Sequence, residues 1–296
     1  MWRVVFAGAL AGCNSLLGIH DLPDDGGRGS GTIDGGVCYG SGGFTICLSA
    51  LPAQAATPSG SIDTDSATDC PASYSTPSGN PWCVIAGSSV TIGATLRASG
   101  SRPLVLVSTG VLAIELPGVV DVSSHIGNGS MAPATVGAAS DTGCASGSGA
   151  SASVDDKSGG GGAGGSYATG GGQGGAGDTE AGGPGGATSG VPTTLVGGCS
   201  GGYGGAGDEP ASDACKPTPS DPPGAGGGAV YLVAGDTIQL DGVVMANGAG
   251  GGVGNQARGG GAGGGAGGLV VLWAGTAISG GMIAGGSVLS TNGGGG

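Results

Sequence analysis

Residues 230–248 have the sequence VYLVAGDTIQLDGVVMANG, which contains three short apolar runs separated by turn residues. The same order of runs occurs at residues 104–123, LVLVSTGVLAIELPGVVDVS, and a third copy begins with LVVL at residues 269–272. Short runs rich in Val, Ile and Leu, bounded by Gly, Ser or Pro, are typical of β-strands. The repetition predicts successive passes of the chain that share one strand pattern.

Strand patterns that recur but cannot each bury a core predict stacked repeats. We therefore expect an all-β fold of the parallel β-helix or solenoid-like type. Its loops are expected to be long and glycine-rich, and part of the chain is of low complexity. An immunoglobulin-like sandwich is the rival fold, because periodic β-runs are common to both. Aligning Leu272 with Val233 and Asn292 with Asn247 gives the third copy a six-residue insertion. This alignment predicts equivalent inward positions for Leu106, Leu232 and Val271.

Composition restricts the class of protein further. Of 296 residues, 77 are Gly and 16 are Pro, whereas aromatic residues make up 3% and charged residues 9%. This much Gly excludes a core of packed helices, since Gly weakens helix interiors. Collagen is excluded as well, because Gly does not recur at every third residue over a long stretch. The net charge of −13 disfavours nucleic acid as a partner.

The N-terminus has the features of an export signal, with Arg3 followed by a short apolar run and small residues. The motif Leu10-Ala11-Gly12-Cys13 resembles the lipobox of bacterial lipoproteins. That resemblance implies cleavage before Cys13, acylation of Cys13 and membrane attachment through the lipid. The residue after Cys13 is Asn14 and not the Asp that retains such lipoproteins at the inner membrane. The resemblance therefore implies a lipid-anchored location at the outer membrane or cell surface.

Changes of composition along the chain predict six regions. They are a lipoprotein signal peptide (1–12), a flexible tether (13–36), a disulfide-braced lead-in (37–83), a first β-solenoid part (84–128), a glycine-rich insertion (129–227) and a second β-solenoid part (228–296). The last residues match the start of an earlier glycine block, which elsewhere leads into another apolar run. We therefore expect the solenoid to be incomplete at its C-terminus, so that either the gene continues or the open edge pairs with another protomer.

The glycine-rich stretches, chiefly 129–227 and 248–268, leave three alternatives open. They are a flexible insertion, long loops laid over the β-structure, or polyproline-II-like segments packed so closely that only Gly fits between them. Gly-Gly-x triplets at residues 171–176 and 201–206 favour the last alternative, whereas a four-residue period at 259–268 does not.

Eight cysteines in a polar chain indicate an oxidising compartment. Short loops close most readily, which predicts disulfides between Cys38 and Cys47 and between Cys70 and Cys83. A third disulfide between Cys199 and Cys215 would leave Cys144 unpaired. Seven cysteines remain without Cys13, so one of them is expected to be free or intermolecular.

Motifs for chemistry are sparse, and we expect no cofactor, no metal and no catalytic residues. His125 and Asp121 have the spacing of part of a Ser/His/Asp group, but a polar strand end explains them as well. Asp63-Thr64-Asp65 begins like a calcium loop and then departs from its pattern. Tyr167 and Tyr203 lie in glycine blocks without a core, which makes them the candidate ligand contacts.

The full pattern resembles glycine-rich surface lipoproteins of large-genome Gram-negative soil bacteria. The resemblance rests on the lipobox at Cys13, on the run TLRASGSRPLVLV at 95–107, and on the repeated apolar phrase followed by Asn-Gly. We therefore expect a non-enzymatic cell-surface structural or adhesive protein that contacts surface polysaccharide or another cell-surface protein. The alternative is a polysaccharide-binding or polysaccharide-cleaving protein, for which the β-runs offer few charged residues: Arg97, Arg102, Glu115, Asp121, Asp236 and Asp241.

Overall fold

The computed structural model describes residues 36–71, 74–76, 81–126, 135–145, 157–188, 190–207, 222–253, 259–280 and 288–295. Within these ranges the chain is essentially all strand, and its only helical element is a 3₁₀ turn at Gly42–Phe44. The predicted acylation site Cys13 and the signal region 1–12 lie outside the described residues, as does Cys215.

Most strands belong to three parallel sheets, which we number 1 to 3. Sheet 1 contains β5 (Cys83–Gly87), β8 (Leu104–Ser108), β13 (Ala229–Ala234) and β16 (Leu269–Ala274) in that spatial order. Sheet 2 contains β6 (Val90–Ile92), β9 (Leu112–Ile114), β14 (Thr237–Leu240) and β17 (Ala277–Ser279). Sheet 3 contains β3 (Gly60–Asp63), β7 (Thr95–Ser99), β10 (Val119–Asp121), β15 (Val243–Met245) and β18 (Val288–Ser290).

Two smaller sheets complete the described strands. An antiparallel sheet consists of β1 (Val37–Tyr39), β2 (Ile46–Leu48) and β4 (Tyr74–Ser75). A short parallel pair consists of β11 (Asp141–Ala145) and β12 (Cys199–Ser200).

The predicted parallel β-helix is wrong. The parallel strands lie in three separate sheets of four, four and five strands, and they do not close into a solenoid. The repeated apolar runs did predict strands, and equivalent runs do pair in parallel: β8 with β13, and β13 with β16. Closure depends on how the connections direct the chain between sheets. Glycine-rich connections leave that direction open, because Gly accepts many backbone conformations.

The predicted equivalence of Leu106, Leu232 and Val271 is also wrong in its third member. Leu232 is in register with Leu106 and with Leu272, whereas Val271 is in register with Tyr231. A one-residue shift moves a side chain to the opposite face of its strand. The error arose because Leu272 was aligned with Val233, whose position is in fact taken by Trp273.

The inner strands of sheet 1, β8 and β13, are buried on both faces, which explains their uninterrupted apolar runs. On one face, Leu104, Leu106, Val230 and Leu232 join a core that also includes side chains of sheets 2 and 3. On the other face, Val105, Val107, Tyr231 and Val233 pack against the antiparallel sheet in a second cluster.

Aromatic side chains concentrate in this second cluster. Tyr231, which is 1% exposed, makes edge-to-face contacts with Trp82 and Phe44, and Trp82 stacks on Tyr74. Burial raises the pKa of the Tyr231 phenol well above its ordinary value. The region predicted as a lead-in therefore supplies the cover for the second face of sheet 1.

Three disulfides brace the described chain. Cys38 is joined to Cys47, and Cys70 to Cys83, which are the two pairs predicted from loop length. The third disulfide joins Cys144 to Cys199, with the Cα atoms 5.3 Å apart. The predicted bond between Cys199 and Cys215 is therefore wrong. The parallel pairing of β11 with β12 brings Cys144 to Cys199 across a sequence separation of 55, which loop length alone does not favour.

Candidate functional site

The glycine-rich stretches form an array of extended segments joined by backbone hydrogen bonds. Its segments are 159–166, 170–177, 182–187, 197–206, 222–228, 246–252, 259–268 and 291–295. Neighbouring segments run in parallel or antiparallel directions, and their bonds are 2.7 to 3.3 Å long. We call these segments together the glycine array.

Segment 259–268 shows how the glycine array differs from a β-sheet. The amides of Gly260, Gly263 and Ala266 donate to segment 197–206, whereas those of Ala262, Gly265 and Gly268 donate to segment 246–252. The carbonyls of Gly261 and Gly264 accept from segment 159–166, and those of Gly263 and Ala266 accept from segment 222–228. A strand in a sheet bonds to neighbours on two sides only, so this arrangement is not a sheet.

The bonds from one segment to a given neighbour recur every three residues. This is the period of the polyproline II helix, which has three residues per turn and no internal hydrogen bonds. Its peptide groups therefore point outward in three directions, and each direction meets a different neighbour. The described glycine-rich residues thus have the close-packed arrangement that was one of the three alternatives.

Close approach of the backbones requires glycine at the contact positions. A Cβ atom added to Gly263 would overlap the carbonyl oxygen of Ala163, and one added to Gly204 would overlap that of Gly260. In each case the obstacle is backbone, which cannot rotate away as a side chain can. By contrast, a Cβ added to Gly172 or Gly175 would meet nothing within 4 Å. Those two residues lie on segment 170–177, which forms an outer surface of the glycine array.

The two candidate ligand contacts occupy different settings in the glycine array. Tyr203 lies on segment 197–206 and is 48% exposed, while Gly202 and Gly204 beside it are buried. Tyr167 is half-buried, and its hydroxyl donates a hydrogen bond to the carbonyl of Val196. The structure therefore gives Tyr167 a bracing contact, whereas Tyr203 is the aromatic side chain presented to solvent.

A ladder of polar side chains joins sheet 3 to the glycine array. Ser123, Asn247 and Asn292 each lie two residues after a strand of sheet 3. The backbone amide of Asn247 donates to Ser123 Oγ at 2.9 Å, and the backbone amide of Asn292 donates to Asn247 Oδ1 at 2.8 Å. Ser290 Oγ also donates to Asn247 Oδ1, at 2.7 Å. The repeat aligns the two asparagines but does not by itself reveal this role, for which their common offset from a strand end is the only signal in the sequence.

His125 and Asp121 lie beside this ladder. His125 Nε2 is 3.0 Å from Asp121 Oδ2, and the buried Asp121 also accepts the Ser123 amide through Oδ1. The neighbouring hydroxyls bond to backbone: Ser124 Oγ donates to Gly226 O at 2.5 Å, and Ser123 Oγ accepts from Asn247. The pair therefore anchors the strand end, and neither of these serines is hydrogen-bonded to the imidazole as a nucleophile would be.

The calcium-like segment forms a turn held by protein groups. Asp65 accepts the Ser101 amide at 2.8 Å and the Ser101 hydroxyl at 2.6 Å, and it lies 3.7 Å from Arg102 Nε. The hydrogen bonds from Ser101, followed by the Arg102 charge, lower the pKa of the Asp65 carboxyl. Asp63 and Asp69 bond to backbone amides of the same turn. In the described ranges, no group of three or more His, Cys, Asp or Glu side chains is placed to hold a metal ion.

The remaining charged candidates are dispersed. Arg102 is held by Asp65, and Asp121 by His125, whereas Glu115, Asp236 and Asp241 lie in the turns after β9, β13 and β14. Among the residues that the structure describes, no helix has the length and apolarity that crossing a membrane requires.

Comparison with known proteins adds no relative. No protein-family model, no curated protein and no solved structure matches the chain.

Proposed function

We propose that the chain is a non-enzymatic structural or adhesive protein of the cell surface, attached to the outer membrane through a lipid on Cys13. The observation that carries the proposal is the glycine array, in which peptide groups of each segment bond to several neighbours. Such an array holds its shape without a hydrophobic core, because backbone hydrogen bonds and close packing replace side-chain burial.

The outer surface of the glycine array is suited to contact with another surface. On segment 170–177, the exposed residues are Gly170, Gly172, Gln173, Gly175 and Ala176, all small or uncharged. Small side chains leave a flat face, and ordering this face costs little side-chain entropy on binding. The disulfide between Cys144 and Cys199 closes the stretch of chain that contains this segment.

Tyr203 supplies the contact point for adhesion. Its half-exposed ring projects from a backbone that is fixed on both sides by buried glycines. An aromatic ring held in this way can stack on a sugar ring or an apolar side chain, and it loses little entropy on binding. The partners that such a ring would bind are surface polysaccharide and a second cell-surface protein.

The test displays the chain on Gram-negative cells and measures adhesion of those cells to polysaccharide-coated and protein-coated surfaces. We expect Tyr203→Ala to reduce adhesion, and Leu51→Ala, which changes an exposed residue outside the glycine array, to leave it unchanged. We expect Cys13→Ser to release the chain from the detergent-soluble membrane fraction. Adhesion that is equal with and without the displayed chain would contradict the adhesive role. Unchanged partitioning of Cys13→Ser would contradict the anchor.

A further inference from the structure

Within the part of the chain that the structure describes, β16, β17 and β18 are the last strands of the three parallel sheets at one end. Within the described residues, β16, β17 and β18 each have a strand neighbour on one side only, so one row of their peptide groups lacks a strand partner. These three strands lie at the same end of their sheets, and we call them the open edge. A row of unpaired peptide groups is a template for pairing with another chain.

The hydrophobic core reaches the open edge. Ile278 is in register with Ile238, and Leu272 with Leu232; Ile238 and Leu232 are each 0% exposed. At the edge, Ile278 is 51% exposed and Leu272 is half-buried. Side chains that are fully covered one strand further in are therefore partly exposed to solvent here, and covering them would recover hydrophobic free energy.

The open edge also lacks the features that usually prevent strand pairing. No charged residue and no Pro occurs in β16, β17 or β18, and every Asp, Glu, Lys and Arg of the chain precedes residue 259. The chain has a net charge of −13, so a second copy is repelled by most of the molecule but not by residues 259–296. Charge therefore directs two copies to meet through this edge.

The opposite edge of the sheets is covered at sheet 2 and charged at sheet 3. On sheet 2, the chain around Ala56 already bonds to β6: Ala56 N donates to Ser89 O and Thr91 N donates to Ala56 O, both at 2.9 Å. On sheet 3, β3 carries Asp63, which begins the turn held by Ser101 and Arg102. Head-to-tail stacking would place this charged, partly covered edge against the uncharged open edge, so pairing of one open edge with another is favoured.

We propose that two copies of this chain form a dimer through the open edges, related by a two-fold axis, with edge strands of one copy antiparallel to those of the other. Such an interface is self-complementary and closes at two copies, so it produces a dimer and not a fibre. It covers Leu272, Ile278 and Leu289 and pairs the exposed peptide groups of both edges. This proposal does not depend on the adhesive role or on the lipid anchor.

The test uses the full chain with Cys13→Ser and Cys215→Ser, which excludes covalent dimers through these thiols and acylation. Molar mass is measured across a dilution series by light scattering and by sedimentation equilibrium. We expect a reversible dimer. Ile278→Lys and Val288→Lys each place a charge at the interface, and each should weaken dimerisation more than about tenfold. Leu51→Lys, at a residue 55% exposed in the loop after β2, is the matched control and should dimerise normally.

Folding is checked for each variant by thermal unfolding of the monomer at high dilution. Val288 is in register with the half-exposed Val243, so lysine at position 288 is compatible with the monomer fold even if lysine at position 278 is not. A chain that stays monomeric at all concentrations would overturn the proposal. A dimer that Val288→Lys weakens no more than Leu51→Lys does would overturn it equally.

Discussion

At the scale of single residues, two opposite requirements determine the stability of this molecule. In the glycine array the contact positions must lack a side chain, as at Gly263, where added atoms would meet the backbone of Ala163. In the sheets the inward positions must be filled, as at Leu232, which is 0% exposed. A single methyl group is therefore harmful at one site, and its loss is harmful at the other.

Gly263→Ala tests the first requirement. The new Cβ would overlap the Ala163 carbonyl, so the two segments must separate and their hydrogen bonds must lengthen. We expect the free energy of unfolding to fall by about 1–3 kcal/mol or more, as for overpacked interiors. Urea unfolding followed by circular dichroism measures this fall. Gly175→Ala is the control: the site is open, and the stability should stay the same or rise slightly.

The buried phenol of Tyr231 should make the free energy of unfolding depend on pH in the alkaline range. Burial raises the pKa of its phenol above the ordinary value of 10.0, so the folded state keeps the proton that the unfolded state releases. The free energy of unfolding should not depend on this group below about pH 10, and should decrease as the pH rises further. Urea titrations at about pH 9 and about pH 11 measure the decrease. In Tyr231→Phe the decrease should be shallower; an equal decrease would assign it to other groups.

At the scale of elements, the glycine segments and the strands are continuous with each other. Segment 222–228 leads directly into β13, and segment 259–268 into β16. In sheet 3, β15 and β18 lead into segments 246–252 and 291–295 through the ladder of Asn247 and Asn292. Each element therefore orients the next one, and the register of the strands determines how the glycine segments that follow them are aligned.

The disulfide between Cys144 and Cys199 is the covalent link between β11 and the glycine array. It closes a loop with a sequence separation of 55. A disulfide across a loop of that length stabilises the folded state by about 4 kcal/mol, because it lowers the conformational entropy of the unfolded chain. We expect Cys144→Ser to lower the unfolding temperature clearly. We expect Cys215→Ser to leave it unchanged. Non-reducing peptide mapping should recover the peptide pair 144–199, and recovery of Cys199 with Cys215 would contradict the structure.

At the scale of the whole molecule, sheets and glycine array share chain segments and therefore stabilise each other. Gly228 N donates to Val122 O after β10, and Leu269 N at the start of β16 donates to Gly228 O, both at 2.9 Å. Neither part can lose its order without disturbing the hydrogen bonds of the other. The molecule is expected to unfold as a single cooperative unit.

Calorimetry tests this cooperativity. We expect one transition whose van't Hoff and calorimetric enthalpies agree. Leu232→Ala in the sheets, costing about 2–5 kcal/mol, and Gly263→Ala in the array should both shift that same transition. Leu51→Ala, at an exposed loop residue, should not shift it. Two transitions, each sensitive to only one of the two variants, would show that sheets and array unfold separately.

The glycine array marks the boundary of what could be predicted about the candidate site. The Gly-Gly-x triplets at residues 171–176 and 201–206 have the period of the observed hydrogen bonds. Local sequence, however, fits a flexible chain equally well, because no apolar pattern specifies which segments are neighbours. The hydrogen-bonded neighbours of segment 259–268 lie between 10 and 99 positions away in the sequence, and only the folded chain brings them together.

The sequence by itself determined the short strands and the disulfides within 37–83, which depend on neighbouring residues, and the repetition of the apolar runs predicted the parallel pairing of β8 with β13. Only the tertiary structure decided the arrangement in three sheets without a closed solenoid, the register of Leu272 with Leu232, and the bond from Cys144 to Cys199. The physical reason is range. Strand propensity and short-loop closure act within a few residues, whereas register and packing follow from which distant backbones can approach each other, and here glycine sets that approach.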